Sequence, residues 1–222
     1  MDLSTTELFD LSHTAAAELL RSCDAPYLAI PQIKSFIKEL SSALPQEEYE
    51  EISEGVFVSR GAIISERATI LPPTVIGYGT EVRPNAFIRG SALIGNGAVI
   101  GNSTEIKNAI IFDGVQLPHY NYVGDSVLGY KVHLGAGAII SNFKLDHTGV
   151  NLRCGDERIM TGLRKFGALL GDGTEVGCNS VIFPGTVIGK GTLIYPLTPV
   201  RGFVPKNAIV YSDGSIKNKE LR

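Results

Sequence analysis

Residues 76–106 read IGYGTEVRPNAFIRGSALIGNGAVIGNSTEI, and an aliphatic residue returns in this stretch at every sixth position. A small residue follows most of these residues four positions later. An amphipathic helix repeats near 3.6 residues and an ordinary strand at 2, so a period of six is typical of neither. A coil of short strands separated by turns accounts for both series. The aliphatic series comprises Val58, Ile64, Ile70, Ile76, Val82, Ile88, Ile94, Ile100 and Ile106, then Leu170, Val176, Ile182, Ile188, Ile194 and Val200.

Two helices are predicted ahead of the repeat. Ser4 and Glu7 have the spacing of a helix capping box, and the first helix is expected to end before Pro26. A second helix is expected to start at Pro31 and to end before Pro45. Because a coil buries its apolar edge only against its neighbours, the ends of a repeat need capping. We therefore expect the helices to close the first coil or a subunit interface, with docking of another protein as the alternative.

The repeat is interrupted at two places, and interruptions of a solenoid tend to carry functional loops. After Ile106 the step shortens to five residues, and irregular sequence continues to Tyr122. A longer excursion is predicted over residues 141–167, whose Lys and Arg side chains suit a phosphate-bearing ligand. The expected organisation is a helical segment at 1–50, a β-helix at 51–205 and a tail at 206–222.

Composition excludes several classes of function. The 20 Lys and Arg residues are balanced by 23 Asp and Glu, so nucleic acid is not an expected partner. Three widely spaced cysteines fit neither a disulfide framework nor a thiolate metal site. The N-terminus lacks a signal-peptide pattern, and no apolar run reaches the length of a membrane span. A cytoplasmic protein without membrane contact is the expectation.

The interruptions carry a pattern of residues that resembles a known enzyme family. The pattern consists of Arg83-Pro84, Glu105-Ile106-Lys107, His119, Tyr122, Gly124-Asp125, Gly135-Ala136-Gly137 and Asn142. It resembles the acetyltransferase domain of the bifunctional bacterial glucosamine-1-phosphate acetyltransferase/N-acetylglucosamine-1-phosphate uridylyltransferase. The later stretch TGLRKFGALLGD, residues 161–172, more closely resembles the related archaeal sugar-1-phosphate nucleotidylyltransferases.

The resemblance implies both a fold and an activity. The fold is mainly β, a left-handed parallel β-helix in which three hexapeptides complete one coil. The activity is acetyl-CoA-dependent N-acetyl transfer to an amino sugar phosphate, with glucosamine 1-phosphate as the expected acceptor and no metal required. The family forms homotrimers that bind the acyl donor between neighbouring β-helices. The family's pyrophosphorylase half has no counterpart in the first 50 or so residues, so any nucleotidyl transfer is expected from a separate nucleotidyltransferase.

The resemblance also assigns roles to individual residues. His119 is the general base for the sugar's amine, and an imidazole with a pKa of about 6.5 suits that task near neutral pH. A backbone N–H in the turn 135–137 is a candidate donor to the tetrahedral oxyanion. The substrate-binding residues are Arg83, Lys107, Tyr122 and Lys165, with Glu105 orienting the amino sugar and Asn142 contacting the sugar or positioning the acyl donor. The residues expected along the acyl donor are Ala136, Cys178 and Pro196.

Departures from the family pattern leave the acceptor open, and two alternative functions remain. His133 and Phe143 stand where the family usually has Asn and Tyr, which puts the identity of the acceptor in doubt. One alternative is a non-catalytic sugar-phosphate-binding or assembly module for a separate nucleotidyltransferase. Another is a zinc hydratase using His119, His133 and His147, but their spacing of 14 residues does not match an 18-residue coil.

Overall fold

In the computed structural model, which describes residues 3–219, the six-residue period becomes a three-sided prism of short parallel strands. The aliphatic residues of the series point inward and stack from coil to coil, as Ile76 does on Ile94. Ile76 is 0% exposed and Ile94 is 1% exposed. Ile64 and Ile70 of the first coil are only partly buried, since an end coil has one neighbour instead of two. The predicted fold, a left-handed parallel β-helix of hexapeptide repeats, is confirmed.

Each side of the prism is one face, and we number the faces in the order in which the chain visits them. Two long strands, Glu105–Ile111 and Tyr122–Leu128, begin in face three and continue into face one. The other strands of face one are Val56–Ser59, Thr74–Ile76, Ala92–Ile94, Ala168–Leu170, Thr186–Ile188 and Phe203–Val204. Face two contains Ile63–Ile64, Glu81–Val82, Val99–Asn102, Gln116–His119, His133–Leu134, Glu175–Val176, Leu193–Ile194 and Ala208–Val210. Face three also contains Thr69–Ile70, Phe87–Ile88, Ile139–Ile140, Val181–Ile182 and Pro199–Val200.

The shortened step after Ile106 lies where the two long strands turn from face three to face one. The turn is made at Asn108 in one strand and at Asp125 in the next, each with a φ of 49°. Asn and Asp adopt this left-handed region more readily than other residues with a Cβ. A single left-handed residue thus replaces a longer turn and places two polar side chains at one corner.

The N-terminal arm, residues 3–44, packs along face one instead of closing the first coil. Its longest helix, Ile33–Ser42, contacts the face-one strands of several successive coils. The outward side chains of face one are accordingly buried, with Leu93 2% exposed and Ile110 0% exposed. The arm contains the helical segments Thr5–Leu8, Leu11–His13, Ala17–Arg21, Pro26–Gln32 and Ile33–Ser42, of which the second and fourth are 3-10 helices.

The first predicted helix is wrong, because the arm breaks into short segments there. Phe9 and Thr14 have extended backbone angles and end the first two segments. Phe9 turns toward the prism, where its ring centroid lies 5.2 Å from that of Phe112. The second predicted helix is present, but it begins at Ile33 after a 3-10 turn that includes Pro31.

The excursion and both ends of the β-helix contain antiparallel pairs. The chain leaves the coil after Ile140 and returns at Ala168, and between them Asn151–Cys154 pairs with Glu157–Met160 as a hairpin. The strand Tyr49–Ser53 adds antiparallel to the first coil, and Ile216–Asn218 adds to the last. The parallel coil extends to Val210, beyond the boundary predicted at residue 205. Within residues 3–219, no helix is long and apolar enough to cross a membrane.

Candidate active site

The predicted site residues lie on or near the two corners that flank face three. The two–three corner is formed by the turns that lead from face two to face three. The three–one corner is formed by the turns that lead from face three to face one. Within a single chain, these corners are separated by the width of one face.

On the two–three corner, His119 and the three predicted acyl-donor residues form one column. The Gly137 N–H donates to the His119 carbonyl at 3.0 Å. The same bond recurs in the next two coils, from Asn179 N–H to the Ala136 carbonyl and from Leu197 N–H to the Cys178 carbonyl, each at 2.9 Å. The column formed by equivalent positions of successive coils is therefore His119, Ala136, Cys178 and Pro196.

His119 is exposed at the end of its strand, and its imidazole makes no hydrogen bond or ion pair with residues 3–219. Its backbone N–H donates to Asn121 Oδ1 at 3.2 Å. Asn121 is buried, and its amide donates to the carbonyls of Gly135 at 2.8 Å and Ala138 at 3.2 Å. Asn121 thus fixes the turn that holds His119 and ties it to the next coil.

Arg83 lies on the same corner, two coils before His119. Its guanidinium donates to both carboxylate oxygens of Glu81, at 3.1 Å each. A bidentate pair of this kind holds the guanidinium in one orientation. The structure therefore groups Arg83 with His119 and not with Lys107, although both were predicted to hold one sugar phosphate.

On the three–one corner, an open pocket of about 590 Å³ brings together four of the predicted substrate-binding residues. These are Lys107, Tyr122, Asn142 and Lys165. Four further residues line the pocket without having been predicted to bind substrate, namely Arg89, Phe143, His147 and Arg164.

The carboxylate of Asp125 organises the floor of this pocket, which we call the acceptor pocket after the residues that were predicted to bind the acceptor. Asp125 is 4% exposed, and its oxygens lie 3.2 and 3.4 Å from Lys107 Nζ. Asn108 Nδ2 donates to it at 2.8 Å, and Asn142 Nδ2 donates to the other oxygen. Because a buried carboxylate needs such donors, Asp125 and the three side chains fix one another's positions.

The glycine before Asp125 is required by the same cluster. A Cβ at Gly124 would lie 2.6 Å from both Asn142 Nδ2 and the Tyr122 hydroxyl. Either side chain would have to move to make room. The Gly124-Asp125 pair of the sequence pattern therefore has a local physical reason in the packing of the pocket.

Burial and charge keep Tyr122 neutral. Its pKa is raised above the ordinary value chiefly by burial, and secondly by the nearby carboxylates of Asp125 and Glu105. The phenol can therefore donate a hydrogen bond to a ligand throughout the physiological pH range. Glu105 itself is occupied by Arg89, whose Nη1 lies 2.6 Å from Glu105 Oε1.

Arg89 could have been found from the sequence by extending the coil period to charged residues. Ile88 pairs with Ile106, so Arg89 occupies in its coil the position that Lys107 occupies in the next. Arg164 lies in the excursion, where the period does not apply, and its signal was the general suitability of the excursion's Lys and Arg side chains for a phosphate-bearing ligand. Its guanidinium lies 5.8 Å from the ring centroid of Phe143, which fixes it at the pocket wall.

The three histidines of the zinc alternative occupy different sites. His133 Nδ1 lies 2.8 Å from Glu175 Oε2 on face two, while His147 lines the acceptor pocket. In the part of the chain that the structure describes, no three His, Cys, Asp or Glu side chains are grouped as metal ligands.

The prism and its two corners define a hexapeptide-repeat β-helix protein, and comparisons with known proteins agree with that class. Residues 70–164 match the family model of the GMPPB C-terminal domain. The bifunctional sugar-1-phosphate nucleotidylyltransferase/acetyltransferase of Sulfurisphaera tokodaii is 41% identical over 92 residues, which are 41% of this chain and 23% of that protein. The bifunctional protein GlmU of Methanococcus aeolicus is 30% identical over 118 residues, which are 53% of this chain and 28% of that protein.

Similarity to a solved structure is low. The hexapeptide transferase family protein of Anaplasma phagocytophilum has a TM-score of 0.43 and 16% identity, over 76% of this chain and 82% of that one. The resemblance predicted from the corner motifs is confirmed by the two curated relatives. The chain spans about a quarter of the length of these relatives.

Proposed function

We propose that the chain transfers an acetyl group from acetyl-CoA to the amine of an amino sugar phosphate, with glucosamine 1-phosphate as the acceptor. The observation that carries this proposal is the sorting of the predicted residues onto the two edges of one face. Four of the six substrate-binding residues line one pocket on the three–one corner. The base and the three acyl-donor residues form a column on the two–three corner. The relative from Sulfurisphaera tokodaii, whose name includes acetyltransferase, supports the same reaction.

The charges of the acceptor pocket suit a sugar phosphate. Lys107, Arg164 and Lys165 supply cationic donors for the phosphate. Tyr122 and Asn142 supply neutral hydrogen-bonding groups for the sugar hydroxyls. Asp125 holds Lys107 and Asn142 in place, so these groups are positioned before the ligand arrives.

The proposed reaction needs one base and one oxyanion donor. The sugar's ammonium first loses one proton to solvent, and the neutral amine then adds to the thioester carbonyl carbon while the imidazole of His119 takes a second proton from the attacking nitrogen. The Gly135 and Gly137 N–H groups already donate to the carbonyls of Val176 and His119, which leaves the Ala136 N–H as the candidate donor to the oxyanion. Collapse of the tetrahedral intermediate breaks the C–S bond, and the imidazolium proton goes to the departing thiolate.

A complete site needs more than one copy of the chain. In a homotrimer with face three toward the three-fold axis, the two–three corner of one copy adjoins the three–one corner of the next. His119 and the acyl-donor column then come from one subunit and the acceptor pocket from its neighbour. Light scattering that gives the mass of a single chain under assay conditions would count against this arrangement.

A non-catalytic sugar-phosphate-binding or assembly module for a separate nucleotidyltransferase is the second candidate. It is favoured by one observation, that the exposed imidazole of His119 has no hydrogen-bonding group within residues 3–219 to orient it. A catalytic histidine usually has such an orienting partner. In the proposed enzyme, that partner comes from the neighbouring subunit or from the substrate.

Thiol release from acetyl-CoA separates the two candidates. With glucosamine 1-phosphate we expect turnover, and we expect His119→Ala to lower kcat by about 10²- to 10⁴-fold, the usual contribution of a general base. His13→Gln, in the N-terminal arm, is the control and should retain activity. No thiol release with any amino sugar phosphate would support the binding module and contradict the enzyme.

A further inference from the structure

A second pocket of about 370 Å³ lies farther along the three–one corner, and it is lined by Lys144 and Arg153 of the excursion but by none of the residues to which the family resemblance assigns a role. It is enclosed by the hairpin of the excursion and by two turns of the β-helix, at residues 183–185 and 201–203. Phe143 lines the acceptor pocket, and the next residue, Lys144, lines this second pocket. The two pockets are therefore neighbours on one corner, separated by the start of the excursion.

The second pocket collects more positive than negative charge. Lys144, Arg153 and Arg201 line it, and none of its lining residues is acidic. Lys144 Nζ lies 3.1 Å from Asp146 Oδ2, but neither arginine has an ion pair among residues 3–219. The whole chain has a net charge of −3, so this grouping is not a consequence of a basic composition. Cations in a concave site concentrate anions.

The hairpin carries a second sign that an anion belongs here. Arg153 and Arg158 are directly paired across its two strands. Like charges in that position destabilise an antiparallel pair. A bound anion would offset this repulsion, because its negative charge would lie beside Arg153.

Close backbone packing builds the pocket. A Cβ at Gly185 would lie 2.7 Å from the Asn151 carbonyl oxygen, and a Cβ at Gly202 would lie 3.2 Å from the Arg153 carbonyl oxygen. Both glycines also have a positive φ. Their missing side chains let the first hairpin strand lie against the corner, which fixes the backbone position of Arg153.

The arginine of the coil is also held in place. The Arg201 guanidinium lies 4.2 Å from the ring centroid of Phe183. A guanidinium that stacks on an aromatic face can still donate from its N–H groups, which lie in the plane of the guanidinium. The pocket is too large for a phosphate ion alone, and its volume lies within the range usual for small-molecule sites.

We propose that this pocket binds the phosphate groups of a nucleotide through Arg153 and Arg201. The site does not depend on the proposed acetyl transfer, because binding is measured without turnover. Two sources share this chemistry, coenzyme A with its 3′-phosphate and diphosphate, and a nucleoside diphosphate sugar. In either case the phosphates lie between the hairpin and the turn at Arg201.

Titration calorimetry of the full chain at low salt tests the proposal with coenzyme A, 3′-dephospho-coenzyme A and a uridine diphosphate sugar. We expect at least one of these to bind, and we expect Arg153→Gln and Arg201→Gln each to weaken that binding about tenfold, the effect of losing one charge-assisted hydrogen bond. Arg67→Gln removes the same charge from an exposed position in the first coil and should leave the affinity unchanged. Circular dichroism checks that each variant is folded.

Each outcome assigns or overturns the site. Binding of coenzyme A that weakens when the 3′-phosphate is absent assigns the pocket to coenzyme A, whereas tighter binding of the uridine diphosphate sugar assigns it to a nucleotide sugar. The proposal is overturned if no nucleotide binds at millimolar concentration, or if both pocket variants bind as tightly as the unaltered chain. Nucleotide binding without thiol release would leave this site standing and contradict only the transferase.

Discussion

Asp125 occupies the position on which most of the acceptor pocket depends. It is buried, and its carboxylate accepts hydrogen bonds from Lys107, Asn108 and Asn142. Asn108 Nδ2 also lies 3.4 Å from the Ile30 carbonyl of the N-terminal arm. One carboxylate therefore links the pocket to the arm.

Replacing Asp125 by Asn should impair binding more than chemistry. The amide cannot neutralise Lys107 and brings its own donors toward those of Asn142, so the pocket loses its fixed geometry. We expect the KM for the amino sugar phosphate to rise about tenfold, with a smaller change in kcat, and the free energy of unfolding to fall by about 1–3 kcal/mol. Steady-state kinetics and urea unfolding measure the two effects.

Glu50→Gln is the matched control for that variant, because Glu50 is an exposed carboxylate that pairs with Arg60 at 3.3 Å. It should change the free energy of unfolding by less than about 1 kcal/mol, as is usual for a surface ion pair. An unchanged KM in an active Asp125→Asn protein would mean that Asp125 does not position the pocket.

The turn between the two pockets gives a prediction about pH. The pKa of Asp146 is lowered from 3.8 to about 2, first by the backbone N–H of Thr148, then by the Thr148 hydroxyl and by Lys144. Because the folded pKa is depressed, the stabilisation is fully present above pH 3.8 and is lost as the pH falls through about 2. NMR titration of the Asp146 carboxyl should give the low midpoint, and Thr148→Val should raise it. A midpoint near 3.8 in the unaltered chain would show that the Asp146 carboxylate does not accept these hydrogen bonds.

At the scale of single residues, the sequence was informative where the repeat or the family pattern applied. Lys107 and Tyr122 are held by the coil register, and Asn142 follows the end of a coil strand by two residues, so their grouping could be anticipated. Asp125 belonged to the quoted pattern, but its bonds depend on a left-handed corner that the residue letters do not reveal. Arg164 and the second pocket depend on how the excursion folds back, which no period describes.

At the scale of elements, the docking of the N-terminal arm is the main departure from expectation. The residues just before the inward ones on face one are also aliphatic, namely Val75, Leu93, Ile110, Val127, Leu169 and Val187. Each is buried. The corresponding positions on face two are mostly polar or partly exposed, as with Glu81 and Ile63. This second apolar series has one residue in each of these coils, and it was the feature of the sequence that could have predicted a covered face one.

The cover over face one should contribute substantially to stability. Leu93 points outward from the prism and is 2% exposed, whereas Ile63 has the equivalent outward position on face two and is 69% exposed. We expect Leu93→Ala to lower the free energy of unfolding by about 2–5 kcal/mol, because it leaves a cavity under the arm. Ile63→Ala is the control and should cost about 0.5 kcal/mol or less. Equal effects in chemical denaturation would show that the arm does not pack on face one.

The breakdown of the first predicted helix has a physical cause at this scale. An isolated helix is marginal in water, so tertiary packing decides whether an amphipathic pattern becomes one helix or several turns. Leu8, Phe9 and Leu11 are all buried, and on one straight helix the side chains of Phe9 and Leu11 would point about 160° apart around the axis. The extended backbone at Phe9 lets its ring turn toward the prism and pack near Phe112.

At the scale of the whole molecule, the three faces have different surroundings. Face one is covered by the N-terminal arm and by the hairpin of the excursion. The corners that flank face three carry the acceptor pocket and the column of His119. In the trimer that we propose, these two corners meet those of other copies. The six-residue period predicted the prism, but only the fold revealed that the site residues separate onto two corners.

Mixing two inactive variants tests most directly whether the site is shared between subunits. His119→Ala lacks the base but keeps the acceptor pocket, whereas Lys107→Ala has the reverse defect. In trimers assembled at random from equal amounts of the two, about a quarter of the interfaces combine an intact base corner with an intact acceptor pocket. We predict that co-refolded mixtures recover about a quarter of the thiol release of the unaltered protein, while each variant alone stays inactive. Mixed trimers that form without any recovery would contradict a site built from two subunits.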